Sequence, residues 1–403
     1  MSPPRCEPET ATARRTRPHL ERFGLPYAIG VYLGTRAFVL AVALNASLDH
    51  TRPNLPDWWS HCPLMRWDSG HYRAHLLYGY PSQIDDGIAF LPGFSLAAWP
   101  FTLVIDFDWA FVVAAQFYGL LAVALFHQWV RRLIDGRSAL IAVVLYCAYP
   151  PAFFFSTGYA DSFFLLAVMA ALWALTLGRH GVAAAASAVA TFTRPTGVCL
   201  AAVVVLFAWL TGRGQAWTRR VTRCAAIACV SVSGLAAYQL YLWHTYDRFD
   251  AYFAAQETWT PAPERHALLK TLTFWSLIEP SFRPIKYAAR GQFEKLTDPW
   301  TWNYFFNLLL VSVAVYGLFR PGLLPRWTFL LPILACLMAW LPDPAGGGRL
   351  LGIARYQLIA LPCFAALAAW RGWRPALLAI VVAALLALQV SYIQRYCNWM
   401  LVS

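Results

Sequence analysis

Charge is scarce in this chain. Of 403 residues only 13% are Asp, Glu, Lys or Arg and 59% are hydrophobic, whereas a soluble globular domain carries roughly one quarter charged residues. Metal-binding cysteine patterns are missing too. The nine cysteines include no Cys-x-x-Cys pair, and Cys147, Cys199, Cys224, Cys229, Cys336 and Cys363 fall in or at the ends of apolar runs. In such places the thiol behaves as a small hydrophobe, which speaks against zinc or iron–sulfur chemistry. A Gly-rich phosphate loop is also missing, since the glycines at 346–348 are followed by no Lys-Ser/Thr. No Ser-His-Asp ordering, nucleotide-binding fold, internal repeat or basic–aromatic nucleic-acid motif is found. The net charge of +12 is therefore no nucleic-acid signal, because the arginines gather in short connecting loops, where they orient a membrane protein.

What the chain does have is apolar length. Segments 26–48, 109–130, 138–155, 162–178, 181–193, 197–211, 224–243, 303–319, 327–341, 351–370 and 375–394 read as candidate spans of an all-α, polytopic integral membrane protein with about eleven transmembrane helices. Residues 1–24, rich in Pro and Arg, read as a disordered cytoplasmic N-terminus, and the first apolar segment as a span rather than a cleaved signal peptide. The remainder, 25–403, reads as one transmembrane domain. The short pair of spans around Thr193-Arg194-Pro195 is expected to lie among neighbours that satisfy the backbone freed by the proline.

Basic loops set the orientation. Arg14, Arg15, Arg17 and Arg22, then Arg131, Arg132 and Arg137, then Arg213, Arg219, Arg220 and Arg223, then Arg320 with Arg326 and Arg371 with Arg374 all fall on one side if the N-terminus is cytoplasmic. The outer side then holds loops 49–108 and 244–302, Ser156 to Asp161, Arg194 and 342–350. Segment 88–105 contains Pro92 and Pro100 and reads as re-entrant or surface-lying, since counting it as a crossing would put half the basic loops outside.

Every polar cluster with chemical potential lands on that outer side. The first is Arg66-Trp67-Asp68-Ser69-Gly70-His71-Tyr72, with His61, His75 and Tyr80 nearby. A carboxylate beside apolar spans is costly and usually marks a working site, though an Asp before a helix is also a common N-cap. On a helix, Asp68, His71, Tyr72 and His75 share one face. Asp68 then suits a general base toward a hydroxyl, or, with His71 and His75, a ligand to a divalent cation. A satisfied hydrogen-bond network is the alternative.

The second cluster runs from Tyr149 to Ser162 and includes Tyr159, Asp161 and Ser162, where either of the last two reads equally as an N-cap. In the third, Thr193-Arg194-Pro195-Thr196-Gly197, Arg194 suits a phosphate oxyanion at headgroup level, or snorkels with no ligand. The fourth holds Gln256, Glu257, Thr258 and Trp259, with Trp300 to Tyr304 further on. These aromatics and amides suit sugar stacking or an interfacial aromatic belt. Arg349 and Arg355-Tyr356 form a fifth possible headgroup contact.

In order, Trp67-Asp68-x-x-x-Tyr72, Gly79-Tyr80-Pro81, Ala89-Phe90-Leu91-Pro92, Pro151-Ala152-x-Phe154-Phe155-Ser156-x-x-Tyr159-x-Asp161-Ser162 and Thr193-Arg194-Pro195-x-Gly197 resemble the PIG-V-type mannosyltransferases, from about residue 27 to 370. The chain departs from that family's Tyr-Ser-Glu-Ser at Tyr159-Ala160-Asp161-Ser162 and from its Arg-Ser-Asn-Gly at Arg194-Pro195-Thr196-Gly197. The resemblance implies a GT-C-type helical bundle with a layer of outer loops, in the plasma membrane of a bacterium. It implies mannose transfer from a polyprenyl-phosphate donor to a hydroxyl of a glycolipid or polysaccharide on the non-cytoplasmic face. Asp68 would be the catalytic base. Trp67, His71, Tyr72, Tyr159, Asp161, Ser162, Arg194, Gln256, Trp259 and Arg355 would line the substrates. No energy cofactor is needed, and a divalent cation stays open. The rivals are a transporter or flippase of lipid-linked sugar, which places its polar groups at broken helices near the midplane, and a non-catalytic assembly factor.

Overall fold

A computed structural model of the chain describes residues 24–48, 62–257, 281–320, 322, 324–340 and 353–400. Among them every regular element is a helix: α1 (Leu25–Leu48), α2 (Ser69–Tyr78), α3 (Gly93–Thr102), α4 (Phe107–Leu133), α5 (Gly136–Ala148), α6 (Asp161–Thr176), α7 (His180–Thr193), α8 (Gly197–Thr211), α9 (Trp217–Tyr246), α10 (Ala251–Glu257), α11 (Arg283–Ala289), α12 (Pro299–Phe319), α13 (Leu330–Trp340), α14 (Ile353–Tyr356), α15 (Leu361–Ala368) and α16 (Pro375–Cys397), with short 3₁₀ turns between some of them. Five of these, α1, α4, α9, α12 and α16, are long and apolar enough to cross a membrane. The chain is an integral membrane protein.

The expected count of about eleven crossings is not confirmed by helix length. Helices α6, α7 and α8 have 16, 14 and 15 residues. At 1.5 Å per residue they reach about 21–24 Å, short of the roughly 30 Å of hydrocarbon. Segment 351–370 is not one span either: α14 gives way to a 3₁₀ turn at Gln357–Ile359 and then to α15, with Pro362 in its first turn. Segment 88–105, expected to be re-entrant or surface-lying rather than a crossing, forms the 3₁₀ turn Asp86–Ala89 and the ten-residue α3, which is too short to cross.

The expected span 138–155 also breaks. After α5 the chain bends by 84° into a buried 3₁₀ turn, Pro150–Ser156. Two successive prolines supply no N–H, so the helix cannot continue and carbonyls are freed in an apolar interior. Two side chains from elsewhere meet them. Gln389 Nε2 on α16 donates to the carbonyls of Tyr149 at 3.0 Å and Pro150 at 3.3 Å. Arg36 Nη1 on α1 donates to Ala152 O at 2.6 Å and Ser156 Oγ at 3.3 Å. An arginine inside the first apolar span thus serves as a backbone cap, which explains why it is only 2% exposed.

Small residues let the short helices pack tightly against their long neighbours, the usual substitute for a hydrophobic drive between membrane helices. A Cβ on Gly234 of α9 would overlap the Ala188 carbonyl of α7 and sit 2.7 Å from Phe192. Further along the chain, α9 holds the loop that follows α2. Tyr238 OH donates to Ile88 O and Tyr246 OH to Pro81 O, both at 2.6 Å. Tyr80 OH closes the same loop on Phe90 O at 2.7 Å.

Gly234→Ala is expected to push α9 off α7 and cost roughly 1–3 kcal/mol by overpacking, seen as a lower thermal unfolding midpoint in detergent. Gly30→Ala, where a Cβ meets nothing within 4 Å, should leave the midpoint unchanged. Equal effects at both positions would show that the α7–α9 contact is loose.

Candidate functional site

Four distant chain segments meet at one point, each delivering a charge from the end of a helix. The first is the loop before α2. Its path is set by three contacts that need particular residues. Trp67 takes the left-handed backbone region at φ 55°, where a bulky residue is strained and the surrounding structure must hold it. Gly158 N–H donates to Leu64 O at 3.1 Å, and a Cβ on Gly158 would overlap the Met65 sulfur and approach Ser69 at 3.2 Å. From α16, the Tyr396 hydroxyl accepts from Arg66 N–H at 3.0 Å and donates to Arg66 O at 2.9 Å. Arg66 itself lies over the Trp399 ring at 5.2 Å.

Asp68 follows. It occupies the N-cap position of α2, yet its side chain makes no capping bond. The capping reading is overturned. Its N–H donates to Tyr159 OH at 3.2 Å, and its Oδ2 accepts from Arg355 Nη1 at 2.6 Å.

The second charge is Asp161, the first residue of α6. Ala160 is the N-cap there and no side chain caps it, so the capping reading fails here as well. Asp161 Oδ2 accepts from Arg355 Nε at 2.9 Å, and Oδ1 accepts from Arg194 Nη1. Arg194 comes from the break between α7 and α8. Pro195 disfavours helical geometry in the residue before it, and Arg194 is extended at φ −148°, ψ 145°. The break is packed closely: a Cβ on Gly197 would lie 2.5 Å from Thr191 N, and one on Gly93 of α3 would lie 2.6 Å from Thr193 Oγ1.

Arg355 on α14 joins the two halves. Its guanidinium divides its donors between Asp68 and Asp161 and lies over the rings of Tyr159 at 4.3 Å and Phe154 at 5.1 Å. Arg194 lies 5.8 Å from the Tyr356 ring and 5.9 Å from that of Phe164. Stacked arginine keeps its charge with little hydration, as buried pairs and phosphate sites require. Two guanidiniums face two carboxylates, so the cluster is neutral. Its members differ in access: the Asp161 side chain is 3% exposed, both arginines 10% and Asp68 27%.

Tyr72 is buried beside this cluster, edge-on to Phe90 and Phe94, and its carbonyl accepts from Ser95 Oγ at 3.0 Å. Burial pushes its phenol up, and the nearby Arg194 and Arg355 guanidiniums pull the other way. Burial pushes up the Tyr159 phenol too, with the Asp68 carboxylate acting in the same direction. Trp67 lies partly buried 5.8 Å from Trp399, its buried indole N–H without an acceptor.

His71 and His75 part company with Asp68. Their rings stack on Phe90 at 4.3 Å and Tyr80 at 4.1 Å and line a separate cavity of about 240 Å³ with Tyr78, Asp85, Asp86 and Gly87. Asp68 points to Arg355 instead, so the three do not converge on a cation. No set of three metal-ligating side chains forms among the described residues. Ser162 also lies apart from the ion pairs. Its hydroxyl approaches Phe155 O at 3.5 Å. Gln256 sits on α10; its side chain, and all of Trp259, His61 and Arg349, lie outside the described residues.

Tyr396 was not singled out from the sequence. Tyr392 and Tyr396 stand one helical turn apart at the polar end of a long apolar run, and a buried hydroxyl needs a partner. That was the available signal.

No protein-family model and no curated protein matches this chain. Several solved structures align with it. The ArnT structure from Cupriavidus metallidurans, bound to undecaprenyl phosphate, shares 18% identity at TM-score 0.45, over 82% of this chain and 59% of that one. The apo oligosaccharyltransferase of Archaeoglobus fulgidus shares 12% identity at TM-score 0.46, over 92% of this chain and 56% of that one. The chain spans less than two thirds of either, and likenesses this distant have no bearing on activity.

The His75 environment gives a test independent of activity. Burial pulls its imidazole down from 6.5 to about 4, with the neighbouring His71 acting in the same direction. Between those values the folded chain binds fewer protons than the unfolded one, so stability is full above pH 6.5 and falls as pH drops toward 4, by on the order of 3 kcal/mol. His75→Phe keeps an aromatic ring against Tyr80 and is expected to flatten that acid slope in detergent unfolding measurements. An unchanged slope would assign the acid sensitivity to other groups.

Proposed function

We propose that the chain is an inverting glycosyltransferase that moves a sugar, mannose on the strength of the PIG-V-type resemblance, from a polyprenyl-phosphate donor to a hydroxyl acceptor on the non-cytoplasmic face. One observation carries this reading. Asp68, the exposed member of the ion cluster, sits on a guanidinium that is itself one of a pair held by a buried carboxylate.

Transfer of this kind needs a base near the acceptor hydroxyl and cations where the leaving phosphate gains charge. Asp68 takes the hydroxyl proton as the oxygen attacks the anomeric carbon. Arg355 and Arg194 receive the departing phosphate. Asp161 keeps both arginines within reach of that phosphate, and Tyr159 supports Arg355 from beneath. The phosphodiester donor is already activated, so no nucleotide is required. A glycolipid or a polysaccharide fits as acceptor.

The test uses membranes carrying the chain, supplied with labelled polyprenyl-phosphate mannose, with label followed into lipid and polymer fractions. Asp68→Asn is expected to lower transfer by about 10²-fold or more at equal expression, the usual scale for a lost general base. Full transfer by that variant would remove Asp68 as base. Product formation that continued unchanged after depletion of lipid-linked mannose would remove the donor class.

A further inference from the structure

Arg355 serves two anions with one guanidinium. Its Nε is committed to Asp161 at 2.9 Å, while its Nη1 holds Asp68 at 2.6 Å. Asp161 has both oxygens engaged, by Arg355 and by Arg194, and is 3% exposed. Asp68 has one oxygen bonded to Arg355 and is 27% exposed. One carboxylate is therefore fixed and the other releasable. The releasable one sits on the guanidinium that a donor phosphate would need.

We infer that Asp68 is the internal competitor of the phosphate: in the ligand-free site it occupies the anion position on Arg355, and donor binding frees it to act as base. This rests on the transferase reading above. The charges favour it. The empty site is neutral, with two guanidiniums against two carboxylates. A phosphodiester brings one negative charge more, and it cannot share Nη1 with Asp68 without placing two anions side by side, which is unfavourable for both. The phosphate takes the guanidinium and Asp68 turns toward the acceptor.

The reaction then conserves the total. The acceptor oxygen bonds to the anomeric carbon, the bond from that carbon to the phosphate oxygen breaks, and the hydroxyl proton moves to Asp68. One negative charge disappears from Asp68 and one appears on the phosphate, beside Arg355. A cation already placed there needs no rearrangement as the charge moves, which favours the transition state over the ground state. When Asp68 later gives its proton to water it competes for Arg355 again and helps expel the product phosphate. Without donor the base stays masked, so no hydroxyl is deprotonated at an empty site.

Undecaprenyl phosphate, the leaving product of the proposed reaction, is the probe. Its affinity for the purified full chain in detergent is read by ligand-dependent thermal stabilisation. Asp68→Asn and Asp68→Ala both remove the competing charge and leave Asp161 against Arg355, so the fold keeps its buried pair. Both are expected to bind undecaprenyl phosphate about tenfold more tightly than the wild type while losing transfer. Asp108→Asn removes a carboxylate that pairs with Arg73 instead, and its affinity should match the wild type. Arg355→Gln should bind at least tenfold more weakly.

Wild-type affinity, or weaker, in both Asp68 variants would overturn the competition while leaving the transferase reading in place. An equal gain in Asp108→Asn would overturn it too, by tracing the effect to net charge. Failure of the wild type to bind undecaprenyl phosphate at all would defeat the transferase reading first.

Discussion

The pairing of Asp161 with two arginines is the constraint on which the site depends. A carboxylate this buried is stable only if its charge is matched and its lone pairs are bonded. Asp161 meets both conditions by taking one guanidinium on each oxygen. Removing one partner of such a pair typically costs roughly 3–5 kcal/mol, because the other charge is left unmatched. Its position in the first turn of α6 adds the favourable field of a helix N-terminus. Without it, Arg194 and Arg355 would be two like charges forced together. With it, the two guanidiniums are held side by side with their charge matched.

The fold reaches this arrangement by breaking helices. The prolines at 150 and 151 end α5 and turn the chain toward Asp161. Pro195 forces Arg194 out of helical geometry at the end of α7. The break between α14 and α15, with Pro362 just beyond it, sets Arg355 on a single helical turn rather than inside a long rod. Continuous helices would bury their polar termini at the membrane faces and leave nothing to build with. Interrupted helices bring polar ends to one point, and the freed backbone is satisfied by Arg36 and Gln389. The kink depends on those two residues.

How much of this was legible follows the range of each physical signal. Apolar length is a local property, and the helices α1, α4, α9, α12 and α16 coincide with long apolar runs for that reason. Hydropathy is blind to missing N–H groups, so 138–155 and 351–370 read as single spans although prolines break the ladder in both. Costly charges are also visible locally, which is why Asp68, Asp161, Arg194 and Arg355 stand out one by one in an apolar sequence. Their pairing is not local. Asp68 and Arg355 are separated by 287 positions, and nothing in either neighbourhood specifies the other. Helical periodicity, for the same reason, placed Asp68 with His71 and His75. A residue preceding a helix is free of its face, and a guanidinium outcompeted the imidazoles. The resemblance rests on short motifs in order, and those motifs hold three of the four charges; Arg355 lies beyond them.

Two carboxylates in one cluster raise the question of which would serve as base in the proposed transfer, and the bonding favours Asp68. A base must reach an acceptor hydroxyl and must change charge without collapsing its surroundings. Protonating Asp161 would strip two arginines of their only shared counter-charge at a site closed to solvent. Protonating Asp68 loosens one bond to Arg355 and leaves the Asp161 pairs intact. The backbone agrees, since Asp68 lies at a loop end beside the strained Trp67, whereas Asp161 is locked in a helix. The same asymmetry gives Tyr159 its place. By accepting from the Asp68 N–H and lying under Arg355, it keeps base and cation in register through the main chain, so the Asp68 side chain can turn while its anchor stays fixed.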